Sequence, residues 1–474
     1  MAIHRNLCFF SYITFSLLYF TLVASFSPTD HYLINCGSTD PTTVDIDNRR
    51  FTGDLSESGS QFLSATRTIS VIDSSPVSNL SPIYHTARIF TRPSKYSFKI
   101  RDKGTHLVRF HFHGFNSSKF NLLDVQLHVL ANGYVLLHDF SIESAGSSII
   151  KDYMIWVDTE ILEITFMPSK KSKRVLINAI EVISAPKDLI ADVGQYVSCE
   201  KNERVGGLMR NAFETVHRVN MGGSKVTPFN DSLWRTWVPD DQFLKSGDGS
   251  EVFYFGGRIK YQKGGASREV CPDNVYNTAR LISSSKDSIP DLNITWAFPV
   301  VEGYKYLVRM HFCDIASVSL GMIFFNVYVN GNLAYENLDL TAMTNELLAS
   351  PFYADFVVDW ETSGVLAISV GPSKLSRPDA IDAILNGIEI MKMNNSMGSL
   401  NGAVTEESVV TSWPKGNNGV LLSLIAAVCL LLTATIIMRR RSIGFKDVVA
   451  WSALPVDIPD VNLKSSNKLP ASKV

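Results

Sequence analysis

Along much of the chain, apolar and polar side chains alternate with a period of two. In the segment 105–113, Val108, Phe110 and Phe112 fall on one side while Leu107, Arg109, His111 and His113 fall on the other; Val308, Met310 and Phe312 repeat the pattern in 305–313. A period of two sends successive side chains to opposite faces of a pleated strand, so both segments are predicted to be half-buried strands. Similar short runs, rich in Val, Ile, Phe and Tyr, are separated by clusters of Gly, Asn, Ser and Pro, and few segments are long and amphipathic enough for helices. The pattern predicts an all-β protein whose antiparallel sheets pack as sandwiches of the jelly-roll type.

Two apolar runs break the alternation. Residues 1–25 carry Arg5, an apolar stretch from Leu7 to Val23 and the small pair Ala24-Ser25, the layout of a signal peptide. Residues 420–438 contain no charge and are followed by Arg439-Arg440-Arg441. About nineteen apolar residues cross most of a 30 Å hydrocarbon core, and a basic flank is retained on the cytosolic side. The expectation is a single-pass type I protein of the plasma membrane, its N-terminus extracellular. Residues 396–419, rich in Asn, Ser, Gly and Glu, are predicted to be a flexible stalk, and 439–474 a short basic cytoplasmic tail. The tail has no Gly-rich phosphate loop, H-R-D or D-F-G, and its length is far below that of a kinase, so no enzyme is predicted within this chain.

The region between these runs is duplicated. Leu107-Val108-Arg109-Phe110-His111-Phe112 recurs as Leu307-Val308-Arg309-Met310-His311-Phe312, and the Asn132-Gly133 turn as Asn330-Gly331. Pro168-Ser169-Lys170 and Asn178-Ala179-Ile180-Glu181 return as Pro372-Ser373-Lys374 and Asn386-Gly387-Ile388-Glu389. Matching order and turn chemistry predict tandem domains, 26–190 and 191–395.

Composition removes several functions. The 474 residues carry 44 Lys+Arg against 46 Asp+Glu, a net charge of -2, which leaves no basic field for nucleic acid. Cys36, Cys199, Cys271 and Cys313 would enter an oxidising compartment, where three pairings are open. Sequons begin at Asn79, Asn116, Asn230, Asn293 and Asn394, as secretion predicts. His111 and His113 lack neighbours at ligand spacing, G-x-S-x-G and H-E-x-x-H are absent, and no catalytic, metal or cofactor site is predicted. Trp234, Trp237 and Tyr276 are candidates for stacking on sugar rings, with core packing as the alternative. Lys171, Lys173 and Arg174, in the run Lys170–Arg174, are candidates for attracting polyanionic pectin, with a solvated hairpin as the alternative.

Several longer stretches resemble one family. Tyr32-Leu33-Ile34-Asn35-Cys36-Gly37-Ser38, Glu214-Thr215-Val216-His217-Arg218-Val219-Asn220, Leu233-Trp234-Arg235-Thr236-Trp237 and Pro272-Asp273-Asn274-Val275-Tyr276-Asn277-Thr278-Ala279-Arg280 look like segments of the plant malectin-like receptor kinases, the group of FERONIA, THESEUS and ANXUR. The resemblance covers about 26–395 and the span, and does not extend into the serine/threonine kinase that members normally carry. It implies tandem malectin-like domains at the cell surface that bind a secreted cysteine-rich peptide with a glycolipid-anchored co-receptor, or a wall polysaccharide, and signal through a partner. The alternative it implies is the carbohydrate-binding module of a receptor kinase. The aromatic and acidic loop residues with which animal malectin holds a glucose disaccharide find no matching positions here, so that specificity is not implied.

Overall fold

A computed structural model describes residues 26–444 apart from 66, 116, 118–121, 123–124, 143–147, 201, 284–291, 360–363, 379 and 414–417. The signal-peptide segment, Asn116 and residues 445–474 of the expected tail lie outside the described residues.

The alternating segments form the strands Gly104–Phe112 and Tyr306–Cys313. The expectation of half-burial is corrected: His106 to Phe112 and all of Tyr306–Cys313 are buried. Both strands lie in a 13-stranded sheet that runs through two lobes. One face of this sheet packs on a separate five-stranded sheet in each lobe, giving two apolar cores. The other face is covered by a third cluster that draws Leu107, Leu189, Leu233, Leu307 and Met391 from both lobes. Polar residues on that face are therefore buried as well, and they must find partners there.

The duplication is visible in register. Arg109 faces Glu181 across the first lobe's strands, and Arg309 faces Glu389 across the second's. Asn132-Gly133 and Asn330-Gly331 all have positive φ, as tight hairpin turns of type I′ require. Gly37 and Gly222, also at positive φ, sit against the carbonyls of Ala87 and Ala279, where no side chain fits. The lobes do not behave as separate beads: strand Ile149–Val157 pairs antiparallel with Phe213–Asn220, Tyr153 opposite Glu214 and Met154 opposite Phe213, and both lobes belong to one compact unit.

The segment read as a flexible stalk also differs from expectation over 396–412. After strand Gly387–Met393 the chain returns to the first lobe, where the backbone of Val135 donates to Gly398 and accepts from Leu400, at 3.0 and 2.9 Å. Leu400 is fully buried in the first lobe's core, and a short helix, Glu406–Ser412, buries Val409. Leu400 and Val409, set in a largely polar run, are buried as the segment docks, a signal that composition averages away. Beyond it, the helix Asn418–Gly444 contains the expected span and is long and apolar enough to cross a membrane.

Candidate functional site

Between the lobes, on the doubly covered face of the large sheet, lies a cavity of about 450 Å³ lined by Arg49, Arg109, Asp152, His217, Arg218 and Trp234 among others. Its floor is an ion-pair girdle. In the first lobe, the Glu181 carboxylate accepts from Arg49 Nη1 and Arg109 Nη1, both at 2.8 Å, and from His111 Nε2 at 2.6 Å. In the second, Glu389 accepts from Arg218 Nε at 2.7 Å and His311 Nε2 at 3.3 Å. Arg309 instead grips Asp355 with two bonds of 2.7 Å. Asp152 joins the halves: its Oδ2 takes Arg218 Nη1 at 2.9 Å and Arg109 Nη2 at 3.4 Å. Beside it Glu214 is clamped by Lys151 at 2.7 Å and by Lys392 at 2.6 Å.

Burial by itself would raise the Glu181 carboxyl, but Arg109 and Arg49 outweigh it and hold the group well below the usual carboxylate range. Glu389 is likewise held down, chiefly by Arg218 against its burial. Burial pushes His111 and His311 below the ordinary imidazole value, with their glutamates opposing. A neutral ring donates from Nε2 to the carboxylate and accepts at Nδ1, where Tyr84 and Tyr276 place their hydroxyls at 2.9 and 3.3 Å. The three guanidiniums at the cavity already face Asp45, Glu181, Asp152 and Glu389. The girdle therefore serves to lock the lobes together and leaves no uncompensated positive charge to seize an anion.

The sequence candidates separate accordingly. Tyr276 is fully buried as the partner of His311. Trp237 is fully buried too, its indole donating to Asp231 at 3.0 Å with Arg218 and Arg235 against its ring. Neither can present a face to a sugar, which corrects that expectation in favour of core packing. Trp234 is half-buried, adopts φ 53°, stacks on His31 at 4.7 Å and lines the cavity. A bulky residue at positive φ is uncommon and marks a position held by its surroundings. Lys171, Lys173 and Arg174 are exposed on the turn between Ile161–Pro168 and Val175–Ile177, and do not line the cavity. Asn79, Asn230 and Asn293 are exposed, whereas the half-buried Asn394 accepts from Ala212 N at 2.8 Å and donates to Asn395 O.

Sequence reasoning missed the girdle, although one signal was available. Arg109, His111 and Glu181 recur as Arg309, His311 and Glu389, polar residues repeated inside apolar strands. Nothing comparable marks Arg49, which meets Asp45 and Glu181 within the first lobe, or Asp152 and Arg218, which meet only through the lobe–lobe join.

The malectin-like domain family matches residues 34–393. A probable receptor-like protein kinase of Arabidopsis thaliana is 44% identical over 379 residues, 79% of this chain and 46% of the relative. The receptor-like protein kinase THESEUS 1 of the same plant is 39% identical over 394 residues, 82% of this chain and 45% of the relative. The chain thus spans about half the length of these kinases. Among solved structures, the ANX1 ectodomain from Arabidopsis thaliana superposes with a TM-score of 0.69 at 26% identity, covering 79% of this chain and 98% of that one. FER, solved in complex with the plant peptide RALF23 and LLG2, superposes with a TM-score of 0.68 at 29% identity, covering 80% and 99%. This chain belongs to the malectin-like family, and its two-lobed region is homologous to the ectodomains of the THESEUS, FERONIA and ANXUR receptor-like kinases.

Proposed function

We propose that this chain is the sensing and anchoring part of a plant cell-surface receptor, which takes a secreted cysteine-rich peptide together with a glycolipid-anchored co-receptor and signals through a partner. The observation that carries the reading is the match of 80% of this chain to 99% of FER as solved with RALF23 and LLG2. The membrane-length helix after the two lobes supports a single-pass arrangement in the plasma membrane with the N-terminus outside. Titration calorimetry of the chain with a cysteine-rich peptide of this class, with and without co-receptor, tests it. Saturable heat that strengthens when the co-receptor is present is expected; absence of heat in both titrations would sink the reading.

The exposed basic turn favours a second reading, attraction of wall pectin by the first lobe. Changing Lys171, Lys173 and Arg174 to Ala is expected to shorten retention on a pectate column, most clearly at low salt. Unchanged retention would leave these residues as an ordinary solvated hairpin.

A further inference from the structure

The segment 394–412 is fastened to both lobes. Asn394 and Ala212 exchange hydrogen bonds of 3.0 and 2.8 Å, and Asn395 Oδ1 accepts from the amides of Met397 and Ser399. Leu400 is sunk in the first lobe's core, while Gly402 N donates 2.6 Å to the hydroxyl of Tyr304 in the second. Every one of these contacts lies within twenty-odd residues of the membrane-length helix, so the segment is a strap across the lobes at the end nearest the span in sequence.

The strap rests on the hairpin Val125–Ala131 and Tyr134–Ile142, and that hairpin carries two histidines in contact. The rings of His128 and His138 are 4.8 Å apart, and a side-chain carbon at Gly402 would meet His138 Nδ1 at 3.5 Å. His128 is buried, and its Nδ1 accepts the Asp139 backbone N–H at 3.1 Å. Asp139 has φ 48° and sits where the hairpin register slips between Leu137 and Phe140. Only an unprotonated Nδ1 can hold this bulge, because a proton there faces the amide hydrogen head-on. Among the described residues, the charged groups on the elements packed around the pair are Asp139, with Oδ1 3.7 Å from His128 Nε2, Lys151 over the Phe140 ring, Lys392 over the Tyr304 ring, Glu214 between those lysines, and Glu406 near Gly133. Asp139 is half-exposed and attracts the protonated ring only weakly, whereas the second histidine repels it.

We propose that the strap is a pH-responsive fastening, held closed by the His128–Asp139 bulge at neutral pH and loosened when His128 gains a proton. The sign follows from the environment of His128: burial first, and His138 second, lower its affinity for protons below that of a free imidazole. The opened hairpin binds protons more readily, so the closed strap loses stability as pH falls below about 6.5, up to about tenfold in the open-to-closed ratio per pH unit.

Hydrogen exchange of the full chain in detergent micelles, each rate divided by the intrinsic rate at its pH, tests this without any ligand. Protection of the Leu400 and Gly402 amides is expected to fall about tenfold from pH 7.5 to 5.5, while that of strand Gly104–Phe112 is unchanged. His128→Asn keeps an acceptor at the Nδ1 position but does not titrate, and should abolish the fall. Equal protection at both pH values, or an undiminished fall in His128→Asn, would overturn the proposal. If His128→Asn loses protection in Gly104–Phe112, the half-exposed His138→Gln decides: a reduced fall supports the switch and an unchanged one overturns it.

Discussion

Glu181→Ala is expected to lower the stability of the two-lobed unit by about 3–5 kcal/mol, the cost of stripping the partner from buried charges. The carboxylate is inaccessible and receives Arg49, Arg109 and His111 at once; without it two guanidiniums remain in an apolar surround with only Asp45 and the shared Asp152. Lys95→Ala is the control, since the Lys95–Glu163 pair is as short, 2.8 Å, but about half exposed on both sides. Solvent screens such a pair, and its loss is expected to cost less than about 1 kcal/mol. Urea unfolding of both variants separates the cases. Comparable midpoints for the two would mean that the girdle does not hold the lobes. Glu389→Ala should fall between them, because Arg309 keeps its own carboxylate, Asp355.

Leu400→Ala is expected to cost about 2–5 kcal/mol, the range for a buried leucine whose cavity does not collapse. Its side chain lies in the first lobe's core although its backbone belongs to the segment that follows the second lobe. The loss should therefore have two signatures: a lower unfolding midpoint, and cleavage within 395–412 by a dilute protease under conditions where the wild-type chain resists. Unfolding at the wild-type midpoint with no new cleavage would show that the strap is not anchored by this residue.

Much of the fold was legible because it depends on local alternation and on repetition. Val108, Phe110 and Phe112 announce a strand, and the return of the same pattern with its Asn-Gly turn announces a second copy. The surroundings of those strands were not legible. Arg109 and His111 read as the wet side of a strand, yet that side is covered by a cluster drawn from both lobes, and both side chains donate to the buried Glu181. Trp237 and Tyr276 illustrate the same limit: aromatic rings in loop-like sequence look available, whereas an indole donating to Asp231 and a phenol serving His311 are core. Leu400 is the converse, an apolar residue in a largely polar run whose docking depends on first-lobe chain such as Val135, more than 200 residues earlier. Asp152 is the furthest from sequence, since its role exists only where two strands of different lobes meet.

On the proposed function, the two locked lobes form a receiving surface for a secreted peptide and its co-receptor. The most direct measurement is size-exclusion chromatography with light scattering of the chain in detergent, mixed with cysteine-rich peptide, co-receptor, or both. Co-elution of all three components from the complete mixture is expected, with weaker or no association when either is omitted. A chain that elutes alone from the complete mixture, while retaining its folded circular-dichroism spectrum, would contradict it.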